Sequence, residues 1–210
     1  MFGIIDFKVF LVSTFLLIVT PGTDTLYILS RSISQGKKAG IYSTLGIITG
    51  VFIHTLLAAF GLSLILMKSA LLFTIIKFVG MAYLVYLGIK MLLTKKTTVA
   101  EQPVLDHLSS KKMYLQGMVT NVTNPKVVLF FLAFIPQFIN SGSSTPLPFI
   151  ILGLIYSLIG GLWCLTIALF ASKLTNKLRK SAKPEYILNK ITGVVFITMG
   201  LKLLTTKAHQ

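Results

Sequence analysis

The chain has 210 residues, of which 54% are hydrophobic and 12% charged, whereas soluble domains carry about 25% charged residues. That balance excludes an ordinary soluble domain, and the length suits one membrane bundle rather than several domains. The formal net charge is +15, and a single cysteine, Cys164, excludes an internal disulfide and a paired-thiol metal or redox site.

A transmembrane helix needs about 20 mostly apolar residues. Six stretches are candidates, with soft edges, the last of them the shortest. The first covers residues 4–29 and is interrupted at Pro21-Gly22. It does not read as a signal peptide, because Asp6 and Lys8 offset each other and no small-x-small cleavage site follows the apolar run. It is therefore expected to be a retained span. The second stretch covers residues 41–67 and the third 71–93. A polar linker at 94–112 follows, with Glu101, Pro103, Asp106 and four lysines. The fourth stretch covers 113–139 and holds Asn124-Pro125-Lys126 in its interior. An uncharged connection at 140–148 leads to the fifth stretch, 149–171, and a basic connection at 172–189 to the sixth, 190–204.

The basic residues fall mainly between spans, so they indicate topology and contact with anionic lipid headgroups rather than nucleic acid. Arg31, Lys37 and Lys38 follow the first span. Lys95, Lys96, Lys111 and Lys112 follow the third, and Lys173, Lys177, Arg179, Lys180 and Lys183 follow the fifth. Short loops rich in Lys and Arg stay cytoplasmic, which predicts that both termini lie outside.

The two halves echo each other. Lys77-Phe78-Val79-Gly80 matches Lys190-Ile191-Thr192-Gly193, and Gly88 matches Gly200 with a one-residue gap. Gly50 matches Gly160, and Pro21 falls on Pro125. Three spans per half force the halves into opposite orientations. The predicted fold is an all-α integral membrane protein of six transmembrane helices, built as two inverted three-helix repeats. Residues 1–93 form the first repeat, 94–112 a cytoplasmic basic linker, and 113–210 the second repeat.

The chemistry concentrates at the two interruptions. Proline lacks the N–H of a helix interior and clashes one turn back, and an adjoining glycine weakens the helix further. Thr20-Pro21-Gly22-Thr23-Asp24 therefore breaks the first span, and apart from Asp6 at the edge of that span Asp24 is the only acid within the long hydrophobic stretches. Two readings stand at this point: a proline kink with an interfacial Asp capping the next helix, or a midplane substrate site of a secondary transporter. In the second, the helix end beyond each break offers N–H donors to an anion, with Lys126 near the second. Asp24 accepts an ammonium group or carries a proton. An amino acid presents both charges. Asp24 and Lys126 pairing with each other is the structural alternative.

Asn121 and Asn124 are candidate cavity liners, or bonds between helices. His54 is a proton relay or a helix–helix bond, and Gln137 lines an outer vestibule or sits at the headgroups. Gly46, Gly50, Gly153, Gly160 and Gly161 read as packing positions. The chain has no His-Glu-x-x-His metal site, Gly-x-Ser-x-Gly elbow or nucleotide-binding loop, so neither an enzyme nor a cofactor is expected.

Thr20-Pro21-Gly22-Thr23-Asp24-Thr25-Leu26, followed by Arg31-Ser32-Ile33-Ser34-Gln35-Gly36-Lys37-Lys38-Ala39-Gly40, resembles the first signature of the lysine exporter family, LysE/RhtB type. Gly117 with Asn121-Val122-Thr123-Asn124-Pro125-Lys126, then residues 130–134 and Pro136-Gln137-Phe138, resembles its second. Thr23 stands where the family usually has a second proline. The resemblance covers essentially the whole chain. It implies amino-acid export across the bacterial cytoplasmic membrane by proton antiport. The substrate site implied comprises Thr20, Pro21, Gly22, Thr23, Asp24, Asn121, Asn124, Pro125 and Lys126, with Asp24 as the proton-coupling group. A neutral amino acid or derivative, such as homoserine, threonine or leucine, suits spans that hold one acid. Two alternatives remain: a metal-cation exporter of the same superfamily, which would need clustered ligands, and a non-transporting membrane scaffold. The sequence is compatible with a homo-oligomer and has no motif that specifies one.

Overall fold

A computed structural model describes residues 3–68, 70–94, 107–140, 145–178 and 183–205. The calls on 95–106, on Arg179 and on Lys180 lie outside the described residues. The described residues are mostly helical, the helices being joined by short breaks and connections, with one isolated antiparallel bridge between Ile4 and Ile139.

Helix α1 spans Phe7–Val19 and stops where Pro21 denies it a donor. Thr20 closes it, its backbone N–H reaching the Leu16 carbonyl and its hydroxyl the same oxygen at 2.7 Å. Helix α2, Thr23–Leu57, begins after Gly22 and carries Asp24 in its first turn, where a negative charge suits the helix dipole. The expected polar connection after residue 29 is not a loop: helix runs through it except at Gly36, whose φ of 82° and ψ of −178° suit only glycine. The chain reverses there. Along a continuous helix residues 32 and 40 would be about 12 Å apart. Instead the Ser32 hydroxyl occupies the space a side chain on Gly40 would need. Asn121 likewise meets both Asp24 in the first arm and Gly50 in the second. The α2 arms therefore form a hairpin, with Lys37 and Lys38 exposed beside its bend.

The second arm continues as a π-helical turn, Ala58–Leu62, and then α3, Ser63–Lys68. Helix α4 is Ala70–Leu93. Helix α5, Ser110–Val122, opens inside the basic linker because the Ser109 hydroxyl accepts the Lys112 N–H at 3.4 Å. After the second break come α6, Pro125–Leu129, a π-helical turn at Phe130–Phe134 and a 3₁₀ turn at Ile135–Phe138. Helix α7 is Leu147–Leu178 and α8 is Lys183–Thr205.

Two described helices, Thr23–Ile65 and Leu147–Ala171, are long and apolar enough to cross a membrane. Ser110–Val122 with Pro125–Phe138, bent by 47°, qualifies as one further span. The Gly36 reversal lies within the first of these and separates a short arm from a longer one.

Helix α2 packs along α5 and α7, and α4 along α8. Lipid supplies no hydrophobic drive between helices, so close approach at small residues holds such bundles together. A side chain on Gly46 would strike the Tyr114 carbonyl, and one on Gly88 would lie 2.7 Å from the Gly193 carbonyl. Hydroxyls within the helices bond the carbonyl one turn back, as Thr44 does to Gly40 and Thr55 to Val51, both at 2.9 Å. Overpacking costs about 1–3 kcal/mol. Gly46→Ala is therefore expected to lower the melting temperature in detergent by several degrees. Gly61→Ala, which meets nothing within 4 Å, should leave it unchanged.

Candidate functional site

The two breaks meet. The free carbonyl of Thr20, at the end of α1, accepts a hydrogen bond from Lys126 Nζ of the second break at 2.8 Å. Gly22 lies against that ammonium, and a Cβ there would sit 3.4 Å from Nζ. Asn124 caps α6, its Oδ1 accepting the Lys126 N–H at 3.0 Å, and Pro125 takes the first helical position, where no donor is needed. Asn121 Nδ2 donates to Asp24 Oδ2 at 2.7 Å. Asn124, Lys126 and His54 all stand close enough to act on that carboxylate electrostatically.

Asp24 Oδ1 and Asn121 Oδ1 are buried without a partner, so the site holds two acceptors in want of donors. No direct ion pair joins Asp24 to Lys126, because the ammonium is turned to the Thr20 carbonyl. The structural pair left open by the sequence is not formed. Thr20, Asn121 and Asn124 are buried, Pro21, Gly22, Asp24 and Lys126 partly so, and Thr23 and Pro125 are exposed.

Two further residues reach the site, and the first has no strong sequence signal. The Thr192 hydroxyl of α8 lies 2.7 Å from that of Thr20 and ties the first break to the last helix. Its one hint is its place in the echoed Lys190-Ile191-Thr192-Gly193. His54 Nε2 lies 3.2 Å from the Asn121 carbonyl, and its ring stacks on Phe131 at 5.5 Å. Gln137 bonds back to the Ala133 carbonyl at 2.7 Å.

The surroundings of the breaks differ. One side holds a close-packed aromatic cluster: Phe130 lies 4.5 Å from Tyr156 and 4.8 Å from Phe134, and Phe138 lies 5.3 Å from Phe10. Beyond it the N-terminal segment is fastened by Ile5 N–H to the Phe138 carbonyl at 2.9 Å and Asn140 N–H to the Gly3 carbonyl at 2.8 Å. On the other side an open groove of about 580 Å³ lies between α2 and α5, lined by Leu26, Tyr27, Arg31, Gln116, Val119 and Thr120 among others. Arg31 donates there to Gln35 and Gln116, each at 3.2 Å. Among the described residues no three of His, Cys, Asp and Glu stand together as a metal site.

Residues 15–207 match the sequence pattern of the LysE type translocators, a span that includes both breaks. The chain belongs to that family. This LysE type translocator is 34% identical over 195 residues to the Uncharacterized membrane protein YrhP of Bacillus subtilis strain 168, covering 89% of this chain and 92% of that one. It is 27% identical over 208 residues to a Leucine efflux protein of Klebsiella pneumoniae, covering 99% and 98% of the two. To a Leucine efflux protein of Salmonella typhimurium it is 26% identical over 211 residues, again 99% and 98%. No solved structure matches it. A LysE type translocator is a membrane transporter rather than an enzyme, and the apolar helices of this chain agree with that.

Proposed function

We propose that the protein exports neutral amino acids across the bacterial cytoplasmic membrane, by proton antiport and alternating access at the junction of its two helix breaks. The carrying observation is the 2.8 Å bond from Lys126 Nζ to the Thr20 carbonyl, which brings the second break onto the first. Irregular backbone at membrane depth persists where it is buried in protein or lines a cavity. In this reading the substrate carboxylate takes Lys126 from Thr20, helped by the N–H groups that open α2. The ammonium goes to the unpartnered oxygens of Asp24 and Asn121. Asp24 carries the proton when no substrate holds it. The names of the leucine efflux relatives support a neutral amino acid.

The architecture in this proposal is six spans in two inverted repeats, residues 1–93 and 113–210, joined by the basic linker at 94–112. Two sets of contacts support the repeat. Gly88 approaches the Gly193 carbonyl, while Gly200, the match of Gly88, approaches Met81, next to the match of Gly193. Asn121 packs on Gly50, while Ile18, beside the match of Asn121, packs on Gly160, the match of Gly50. With the Lys/Arg-rich connections cytoplasmic and both termini outside, the α2–α5 groove opens inward and the aromatic cluster closes the outer half. That arrangement is an inward-facing state.

Cells overproducing the protein should tolerate toxic analogues of aliphatic amino acids at concentrations that stop control cells. Equal sensitivity, with the protein present in the membrane, would remove the export reading and favour a scaffold.

A further inference from the structure

We propose that the small, partly enclosed cavity beside Lys126 is the substrate's side-chain pocket, and that it selects an uncharged aliphatic side chain. This inference rests on the export reading above. The cavity measures about 10 Å³, room for a single water. Leu17 of α1, Leu87 of α4, Phe130 and Phe134 of the second π-helical turn, and Phe196 of α8 form much of its wall. Lys126 is its one charged lining residue, and Ser13 its one other polar one.

The geometry assigns the roles. An α-amino acid whose carboxylate meets Lys126 Nζ and whose ammonium meets Asp24 has its side chain directed from the α-carbon, within a few bonds of the same ammonium. The apolar void borders Lys126. With Lys126 taken by the substrate carboxylate, a charged side chain placed there would find only Ser13 as a polar partner and lose its hydration without replacement, which is costly for a charge. A branched aliphatic side chain loses nothing polar. It needs more volume than the void now has, so the wall must yield as substrate binds. The residues that set how far it yields come from separate elements, and Leu87 and Phe196 sit on the two helices that pack along one another, α4 and α8. They are therefore the specificity-determining pair for side-chain size.

The test is counterflow in proteoliposomes with labelled leucine as the probe and unlabelled leucine, alanine, phenylalanine, lysine and glutamate as competitors. In the wild type, leucine should compete well, and lysine and glutamate should not. Leu87→Ala should raise the effectiveness of phenylalanine relative to leucine by at least about fivefold, within the range that a few methylenes in a pocket produce. Phe196→Ala should act in the same direction. Leu87→Phe should shift preference towards alanine, and it keeps the test decisive if Phe196→Ala does not reach the membrane. Retained leucine exchange with an unchanged competitor ranking in the Leu87 variants would overturn the pocket alone. So would lysine competing as well as leucine in the wild type. No exchange of any amino acid by the wild type would overturn the export reading, and the pocket with it.

Discussion

Asp24→Asn is expected to abolish transport while leaving the protein folded and in the membrane. The substitution keeps the shape of the side chain and its oxygen towards Asn121 Nδ2, which now donates at 2.7 Å. It removes the charge that the substrate ammonium and the antiported proton both require. A hydrogen bond to a charged group contributes about 1.5–3 kcal/mol, and about 1.4 kcal/mol is a factor of ten. Substrate binding alone should therefore fall about 10- to 100-fold, with proton coupling lost besides. The loss of a first-turn acid from α2 costs the fold only about 0.3–1 kcal/mol, so the melting temperature should move little. Counterflow and melting measured on one preparation separate the two effects. Transport at the wild-type rate would leave Asp24 only a structural role, as the acceptor of the Asn121 hydrogen bond rather than the helix cap that the sequence allowed, since Gly22 caps α2.

The second large effect concerns the bridge between the N-terminal segment and the end of the second broken helix. Ile4 and Ile139 are bridged with both flanking hydrogen bonds made by their neighbours, which makes them a non-hydrogen-bonded antiparallel pair. Such pairs hold their Cα atoms about 4.5 Å apart, within the reach of a disulfide, about 4.4–6.8 Å. Ile4→Cys with Ile139→Cys, in a chain whose buried Cys164 is replaced by serine, should crosslink under mild oxidation. If the aromatic cluster and this bridge must part for release, the oxidised protein should lose nearly all transport and a reductant should restore it. Each single cysteine variant should work throughout. Full activity in the crosslinked protein would mean that release takes another path.

The breaks were the most legible part of the sequence, because proline acts locally: it removes a donor wherever it stands. The meeting of the breaks was less so, since it depends on how α1, α5 and α6 pack. Gly36 shows the limit. Arg31, Lys37 and Lys38 mark residues 30–40 as a connection, and their charge is what a loop at the membrane surface would carry. Yet the chain stays helical up to and beyond one glycine, because only that residue has to leave helical geometry for the hairpin to close. Ser110 to Lys112 likewise look like linker from their charge, but Ser109 caps a helix that they begin. The π-helical turns at Ala58–Leu62 and Phe130–Phe134 have no local sequence rule behind them. Thr192 and His54 reach the site only through packing of α8 and α2, which no spacing within either helix announces.

The central claim is that the two breaks form a single amino-acid site, and counterflow by the wild-type protein tests it most directly. Proteoliposomes preloaded with unlabelled leucine should accumulate external labelled leucine transiently above equilibrium, and an inward-directed or outward-directed pH gradient should change net flux in opposite senses. Liposomes that stay at the level of protein-free controls, across neutral, basic and acidic amino acids, would contradict it.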